Sequence, residues 1–306
     1  MQINAFSSEA RSKAISTLLS IAQQCDGVRC DMAMLMTNSV FSRTWKEKAG
    51  QALEKEFWEE IIVAVKNEFP DFKFIAEVYW DMEFELMQQG FDYCYDKKLY
   101  ERLANDSAQR VNEHLKADWD YQSKLLRFIE NHDEPRAITV FGTEASKAAV
   151  VITSTLPGAR LIFEGQTREI KLPVQLGRTA TEEDDVALME FYDNLLKIIP
   201  GREFDNGKWS LCKVKTVDSS DNSFNNIISY QWWTDKDRLL IVVNYSLISS
   251  KAHLIIEDID FGLFNWKFTD LLTRNQYIYK GKDLRENGLY IELEGWNSHI
   301  FRVEKA

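Results

Sequence analysis

Three acidic residues stand at or just beyond the ends of apolar segments of the chain, where they could do acid–base chemistry. Asp31, Glu77 and Asp133 follow the segments 27–30, 74–76 and 128–131. The intervals between them leave room for one or two strand–helix units. Because the active site of a parallel barrel lies at the carboxyl ends of its strands, we expect these three side chains to share one site.

Two of these carboxylates could form the pair that cleaves a glycosidic bond with retention of configuration. That reaction needs a carboxylate nucleophile and a carboxylic acid about 5–5.5 Å apart. Arg29 lies two residues before Asp31, so in a strand both side chains point to the same face and the cation favours an ionised nucleophile. Glu77 stands between an apolar strand and Tyr79-Trp80, and apolar surroundings suit a general acid.

Each residue alone has a more ordinary explanation. A single Asp or Glu after an apolar strand most often caps a helix or lies in a loop. His132 by itself would be a hydrogen-bonded polar residue, and Trp80 by itself a packing residue. Glu130 and Glu134 flank the third acidic residue and compete with it for a role. The order and spacing of the three acidic segments together favour the functional interpretation.

The elements that must position these residues alternate between helix and strand. Apolar periodicity predicts helices at 8–24, 57–69, 144–156 and 182–199, and two polar helical pieces between 97 and 120. Strands are predicted at 27–31, 72–77, 91–95, 125–131 and 159–164, which indicates a parallel sheet. Later segments are short and β-rich, and they predict antiparallel strands at 209–213, 227–233, 239–245, 253–256, 266–270, 289–293 and 299–303.

Composition narrows the possible partners. The 306 residues carry a formal net charge of -11, which argues against nucleic acid and anionic membranes as partners and leaves neutral polymers such as sugars. The four cysteines show no spacing typical of a zinc site. The chain shows no signal-peptide pattern and no apolar run of membrane-spanning length, and two of its cysteines lie in or beside predicted buried strands, so a cytoplasmic location is predicted.

Four segments resemble motifs of the α-amylase superfamily, glycoside hydrolase family 13. Gly27 to Ala33 resembles the motif at the fourth barrel strand, and Ala76 to Trp80 the motif at the fifth. Asn131 to Asp133 is similar to the seventh-strand motif. Gly158 to Gln166 is similar to the eighth, with glutamine where many members carry glutamate.

The resemblance implies a role for each site residue. Asp31 would be the nucleophile, Glu77 the acid/base, and Asp133 the third carboxylate, which binds sugar hydroxyls and stabilises the transition state. The residues implied in substrate binding are Arg29, His132 and Trp80. In place of the Lys-His that usually follows the nucleophile motif, this chain has Met-Leu-Met at 34–36.

The resemblance also implies the architecture. Residues 1–201 would form strands four to eight of a (β/α)8 barrel, and residues 202–306 a β-sandwich-like antiparallel β-domain. The family's first motif, Asp-x-x-x-Asn-His at the third strand, has no counterpart. We therefore expect a truncated chain that lacks strands one to three, with no metal, no calcium and no cofactor, and a complementing segment that supplies those strands.

The activity implied is that of a retaining glycosidase acting on α-glucans or maltooligosaccharides. One alternative is an α-glucan transglycosylase of the same superfamily, which would give products longer than the substrate. A second alternative is a catalytically inactive remnant that binds sugar, which would bind a maltooligosaccharide without turning it over.

Overall fold

The computed structural model describes residues 2–168, 170–171, 185–201, 204 and 207–306. The chain divides into two compact units. The first comprises Met1–Lys98 and Trp119–Arg127, and the second comprises Leu99–Asp118 and Phe128–Ala306. The domain boundary expected after residue 201 stays a prediction.

Up to residue 127, one to three helices separate each strand from the next. In order they are α1 (Ser8–Ala22), β1 (Gly27–Cys30), α2 (Asn38–Trp45), α3 (Phe57–Glu68), β2 (Lys73–Ala76), α4 (Glu83–Gln88), β3 (Tyr93–Tyr95), α5 (Lys97–Asn105), α6 (Ala108–His114), α7 (Trp119–Gln122) and β4 (Leu125–Arg127). Strands β1 to β4 pair in parallel in that order. The segment from 97 to 120, predicted as two helical pieces, holds α5, α6 and the start of α7.

The parallel pairing aligns the carboxyl ends of β1, β2 and β3. Cys30 lies opposite Ala76, and Ala76 lies opposite Cys94. At the start of β1, a Cβ atom on residue 27 would stand 2.6 Å from the carbonyl oxygen of Lys73. Gly27 therefore permits the close approach of β1 and β2, and their register brings the residues that follow them side by side.

Helix α3 packs one face into the first unit and holds the loop after β1. Its buried residues recur at helical spacing, and they are Phe57, Trp58, Ile61, Ile62 and Val65. The Trp58 ring lies 5.2 Å from that of Phe91, edge to face. Its indole Nε1 donates a hydrogen bond of 2.8 Å to the carbonyl of Ala33. The aromatic core and the loop that carries Asp31 are thus connected through one side chain.

All four cysteines are free thiols, and only one of them is exposed. Cys25 is the exposed one and lies just before β1. Burial raises the pKa of Cys30 and Cys212 to about 12, and it raises the pKa of Cys94 further. These three behave as small apolar residues of the interior.

The second unit continues with helices and then with antiparallel strands. In order they are α8 (Ala137–Phe141), α9 (Thr143–Thr155), β5 (Ala159–Arg160), α10 (Val186–Ile198), β6 (Lys208–Leu211), β7 (Lys213–Lys215), β8 (Ile227–Trp233), β9 (Arg238–Asn244), β10 (Ser250–Ile255), β11 (Asn265–Asp270), β12 (Gln276–Lys280), α11 (Gly281–Asn287), β13 (Leu289–Leu293) and β14 (Ser298–Lys305). Helix α10 is capped by the Asp185 carboxylate, and the residues 182–184 that were predicted to open it lie outside the described part. None of the helices in the described ranges is long and apolar enough to cross a membrane.

Two antiparallel sheets form the C-terminal part of the second unit. One has the order β13-β10-β7 and the other the order β12-β11-β14-β9-β8-β6. An apolar core lies between them, and a second core joins β8 and β9 to α9 and α10. The Trp232 indole donates to the carbonyl of Thr155 at 2.7 Å, which ties β8 to α9. The predicted α/β class, with a parallel sheet and a C-terminal antiparallel β-domain, is confirmed.

Asp270 closes β11 with a fully buried carboxylate. It accepts hydrogen bonds from Thr273 Oγ1 at 2.6 Å and from the Leu272 N–H at 3.2 Å, and its Oδ2 lies 3.0 Å from His299 Nδ1. Burial alone would raise the pKa of Asp270, but the hydrogen bonds from His299 and Thr273 outweigh burial and hold the pKa below its ordinary value.

We expect this carboxylate to make stability depend on pH in acid. Its contribution is complete above the pKa of an unfolded aspartate, about 4, and is lost as the pH falls through the lower pKa of the folded state. Asp270→Asn should lower the free energy of unfolding at pH 7 and flatten its decline below pH ~4. Urea denaturation across this range measures both effects, with the exposed Asp235→Asn as the matched control. Identical pH slopes for Asp270→Asn and the unmodified chain would contradict this account.

Candidate active site

Asp31 and Glu77 follow the ends of two neighbouring parallel strands. The Glu77 N–H donates to the carbonyl of Cys30 at 3.0 Å, and the Ala33 N–H donates to the carbonyl of Glu77 at 2.9 Å. These backbone bonds continue the β1–β2 pairing past the last residues of both strands. The two acidic residues are therefore held side by side at the carboxyl edge of the sheet.

One guanidinium group bridges the two carboxylates. Arg29 Nη1 donates to Asp31 Oδ1 at 2.7 Å, and Nη2 lies 2.9 Å from Glu77 Oε1. Arg29 Nε also donates to the Tyr95 hydroxyl at 3.2 Å, and the guanidinium lies 5.6 Å from the centre of the Tyr95 ring. One side chain of β3 and the side chains that follow β1 and β2 thus converge on one cation.

The Arg29 cation is strongly favoured. Partial burial would lower its pKa, but the hydrogen bonds to Asp31 and Tyr95 and the attraction of Glu77 raise the pKa above its ordinary value. A guanidinium in this setting is a permanent positive charge, and its planar fork can address two carboxylates at once.

The two carboxylates differ in exposure. The Asp31 side chain is 77% exposed, whereas the Glu77 side chain is 4% exposed. Glu77 is nevertheless surrounded by polar groups, because its Oε2 accepts from the Met32 N–H at 2.7 Å and its Oε1 accepts from the Tyr79 hydroxyl at 3.1 Å. Met32 adopts a left-handed backbone conformation with φ of 44°, and non-glycine residues in this conformation often mark functional loops. A ligand could reach Asp31 directly, while Glu77 is buried and held by these contacts.

Trp80 projects from a strained turn beside Glu77. Trp80 and Asp81 both have left-handed backbones, with φ of 67° and 58°. Asp81 also forms an exposed ion pair with Lys98, at 3.2 Å. Trp80 is 58% exposed, so an aromatic face is open to solvent at the edge of the sheet. Aromatic faces of this kind can stack on the apolar faces of sugars.

His132 and Asp133 lie in the second compact unit, in the loop after Asn131. The Asn131 side-chain oxygen accepts from the N–H groups of Asp133 and Glu134, at 2.8 and 3.0 Å, which forms a tight turn. His132 Nε2 lies 3.0 Å from Asp133 Oδ2, and both side chains are about half exposed. The turn therefore presents an imidazole and a carboxylate to solvent as one pair.

Two other residues of these motifs have structural contacts. Glu130 is buried, is ion-paired with Arg136 and accepts from the Ala137 N–H, so it caps the start of α8. Burial raises the pKa of Glu130 in spite of these contacts. Gln166 is buried as well, and its amide donates to the Tyr192 hydroxyl at 3.0 Å.

Two tyrosines join the site without having been predicted as part of it. Tyr79 contacts Glu77, and Tyr95 contacts Arg29. Tyr79 lies two residues after Glu77, a spacing that could have indicated a shared face. For Tyr95 the available signal was its position at the end of the next predicted strand. No group of three or more His, Cys, Asp or Glu side chains in the described ranges is arranged to hold a metal ion.

Two curated relatives match the chain over most of its length, although no family model matches it. One is α-amylase MalA of Haloarcula japonica, 25% identical over 234 residues that make up 73% of this chain and 32% of MalA. The other is α-amylase 3 of Dictyoglomus thermophilum, 22% identical over 245 residues, which cover 64% of this chain and 47% of that enzyme. The chain therefore spans about a third of MalA and about half of α-amylase 3.

Solved structures of α-amylases share the fold. The noncanonic maltogenic α-amylase AmyB of Thermotoga neapolitana superposes with a TM-score of 0.72 at 19% identity, over 97% of this chain and 66% of that one. An Anoxybacillus α-amylase gives a TM-score of 0.72 at 17% identity, over 97% of this chain and 63% of that enzyme. The Geobacillus thermoleovorans α-amylase, solved with acarbose, gives a TM-score of 0.69 at 17% identity, over 97% of this chain and 64% of that enzyme.

The likeness extends over nearly the whole chain in structure and over most of it in sequence, and it includes both the parallel sheet and the C-terminal β-domain. This chain resembles the α-amylase superfamily, glycoside hydrolase family 13, over the part of those enzymes that it spans. The resemblance rests on its sequence motifs, on its curated relatives and on its fold.

Proposed function

We propose that the chain carries the catalytic residues of a retaining glycosidase that acts on α-glucans or maltooligosaccharides. The observation that supports this most directly is the Arg29 guanidinium, which bridges an exposed carboxylate and a buried carboxylate at the ends of two parallel strands. A nucleophile must be open to the sugar, and its acid/base partner must lie beside it. Asp31 and Glu77 meet these requirements.

The proposed reaction has two steps. In the first, the Asp31 carboxylate attacks the anomeric carbon while Glu77, reacting in the protonated form that is in equilibrium with its ion-paired carboxylate, gives its proton to the glycosidic oxygen, and the leaving sugar departs as an alcohol. In the second, Glu77 takes a proton from water, and the oxygen of that water displaces Asp31 from the anomeric carbon. Arg29 stays protonated throughout and holds both carboxylates in position.

Three further residues are proposed to bind the sugar. Asp133 is the third carboxylate, which would accept hydrogen bonds from sugar hydroxyls, and His132 would act beside it as part of the same exposed pair. Trp80 would stack on a sugar ring, since the residue is exposed and lies in a turn with left-handed backbone conformation. The α-glucan substrate class is supported by the relatives, which are α-amylases, and by the acarbose complex of one of the similar structures.

We further propose that residues 1–201 correspond to strands four to eight of a (β/α)8 barrel and residues 202–306 to its C-terminal domain. The share of the similar structures that the chain covers, 63% to 66%, supports this correspondence. Strands one to three would then come from a complementing segment, whichever chain carries it. Activity is expected of the complete barrel, so activity is measured on the chain together with that segment.

Glu77→Gln separates the two proposed steps. With an α-maltosyl fluoride, the leaving group needs no proton, so the first step should proceed while the second is slow. The variant should accumulate a glycosyl-enzyme on the peptide that contains Asp31, detected by mass spectrometry after proteolysis. Added azide, which needs no general base, should restore turnover.

Glu130→Gln is the matched control for that experiment, because Glu130 is also a buried carboxylate paired with an arginine. It should not accumulate the adduct. An adduct on any residue other than Asp31 would overturn the assignment of the nucleophile. Turnover of ordinary maltooligosaccharides by Glu77→Gln at the unmodified rate would overturn the assignment of the acid/base.

A further inference from the structure

Strand β12 (Gln276–Lys280) forms one end of the six-stranded sheet. It pairs with β11 on one side, and among the residues that the structure describes no strand pairs with its other side. The strand is well exposed, and Ile278 at its centre is 65% exposed. An open strand edge is a template for pairing with another chain.

The pattern of hydrogen bonds shows which residues face outward along this edge. The Asp270 N–H donates to the carbonyl of Asn275, and the Gly281 N–H donates to the carbonyl of Phe264. In an antiparallel ladder, residues whose backbone groups bond to the neighbouring strand alternate with residues whose backbone groups point away from it. The N–H and C=O groups of the odd-numbered residues from 275 to 281 therefore point toward β11. The N–H and C=O groups of Gln276, Ile278 and Lys280 therefore point away from the sheet.

The sequence of the strand, Gln-Tyr-Ile-Tyr-Lys, is nearly the same in both directions. In an antiparallel pairing of two copies centred on Ile278, the two isoleucines face each other and each Tyr277 faces the Tyr279 of the other copy. Each Lys280 then faces a Gln276, so no two lysines are opposed. The outward residues found above are the ones that exchange hydrogen bonds in this register.

We propose that β12 pairs with β12 of a second copy of this chain about a two-fold axis at Ile278, which joins the two six-stranded sheets into one. Such an interface is isologous and closes as a dimer. Paired isoleucines and tyrosines on adjacent strands stabilise a sheet, and the charge pattern opposes the registers that would bring two Lys280 residues together.

Exposed apolar residues beside the strand extend this surface. Leu263 and Phe264 are 82% and 59% exposed and lie in the loop before β11, next to the end of β12. The Phe264 ring is covered on one side by Lys305, whose Nζ lies 4.4 Å from its centre. A second copy that pairs with β12 would cover apolar side chains that are otherwise in water.

Sedimentation equilibrium of the chain over about a hundredfold range of concentration tests the proposal, since a dimer appears by mass action. Ile278→Pro removes the outward N–H and no bond to β11, so the fold should persist and the dimer dissociation constant should rise about tenfold or more. A circular dichroism spectrum checks the fold. A chain that stays monomeric at every concentration would overturn the proposal.

Two variants of the same exposed residue test the register. Gln276→Glu faces Lys280 of the other copy and should lower the dimer dissociation constant about threefold, whereas Gln276→Lys should raise it by a similar factor. Leu247→Lys, at a residue 82% exposed in the loop after β9, is the control and should change nothing. A dimer that responds to Leu247→Lys and to none of the β12 variants would show that another surface mediates association, and the proposal would be wrong.

Discussion

Asp31→Asn should lower kcat on a maltooligosaccharide by about 10⁴-fold or more in the complemented enzyme, while the dissociation constant for the sugar stays within a few-fold. The amide has the size of the carboxylate and can still accept a hydrogen bond from Arg29, but it is a poor nucleophile toward an anomeric carbon. Steady-state kinetics and isothermal titration calorimetry measure the two quantities separately.

Asp26→Asn is the control for this variant, because Asp26 is an exposed aspartate that precedes the same strand at its opposite end. Its kinetics should match those of the unmodified chain. If Asp31→Asn hydrolysed the substrate at an unchanged rate, Asp31 would not be the nucleophile. If it lost binding together with turnover, the residue would position the sugar rather than react with it.

Arg29→Met should lower the free energy of unfolding by about 2 kcal/mol or more, because it leaves the buried Glu77 carboxylate without its counter-ion. The loss is set toward the low end of the range for buried ion pairs, since 27% of the Arg29 side chain is exposed. Adding Glu77→Gln to Arg29→Met should recover much of the loss, because the second change removes the uncompensated charge. Urea denaturation of both single variants and of the double variant gives the coupling free energy between Arg29 and Glu77.

An exposed ion pair of the same type gives the comparison. Arg110 Nη1 lies 2.8 Å from Glu113 Oε2, and both side chains are at least half exposed. Arg110→Met should therefore change the free energy of unfolding far less than Arg29→Met does. Additive effects of Arg29→Met and Glu77→Gln would mean that the guanidinium does not compensate the buried carboxylate. The contact between Arg29 and Glu77 would then contribute nothing to the free energy of unfolding.

The sequence predicts best the elements whose side chains alternate between core and solvent or are buried throughout. Strands β8 and β13 were predicted at their observed bounds, 227–233 and 289–293, because their apolar patterns end sharply at polar turns. Strand β12 was missed because it lies at a sheet edge and is largely exposed, so burial imposes no pattern on it. Strand β5 is two residues long where six were predicted, since an apolar run does not show where pairing stops.

Within the candidate site, local contacts were predictable and contacts between strands were not. The approach of Arg29 to Asp31 follows from their two-residue spacing and is present at 2.7 Å. The contacts of Arg29 with Glu77 and Tyr95 depend on the register of β1, β2 and β3, which no local pattern specifies. The roles of all six site residues stay predictions, as does the separation of the two carboxyl groups; the six are Asp31, Glu77, Asp133, Arg29, His132 and Trp80.

The unequal exposure of the four thiols makes the first unit suitable for site-specific labelling. Cys25 is the thiol that a maleimide reagent can reach, while Cys30, Cys94 and Cys212 are shielded and hard to ionise. A fluorophore placed there would sit before β1, at the end of the strand opposite to Asp31. The native chain could therefore carry a single optical reporter of assembly without the removal of any cysteine and without a probe on the carboxyl edge of the sheet.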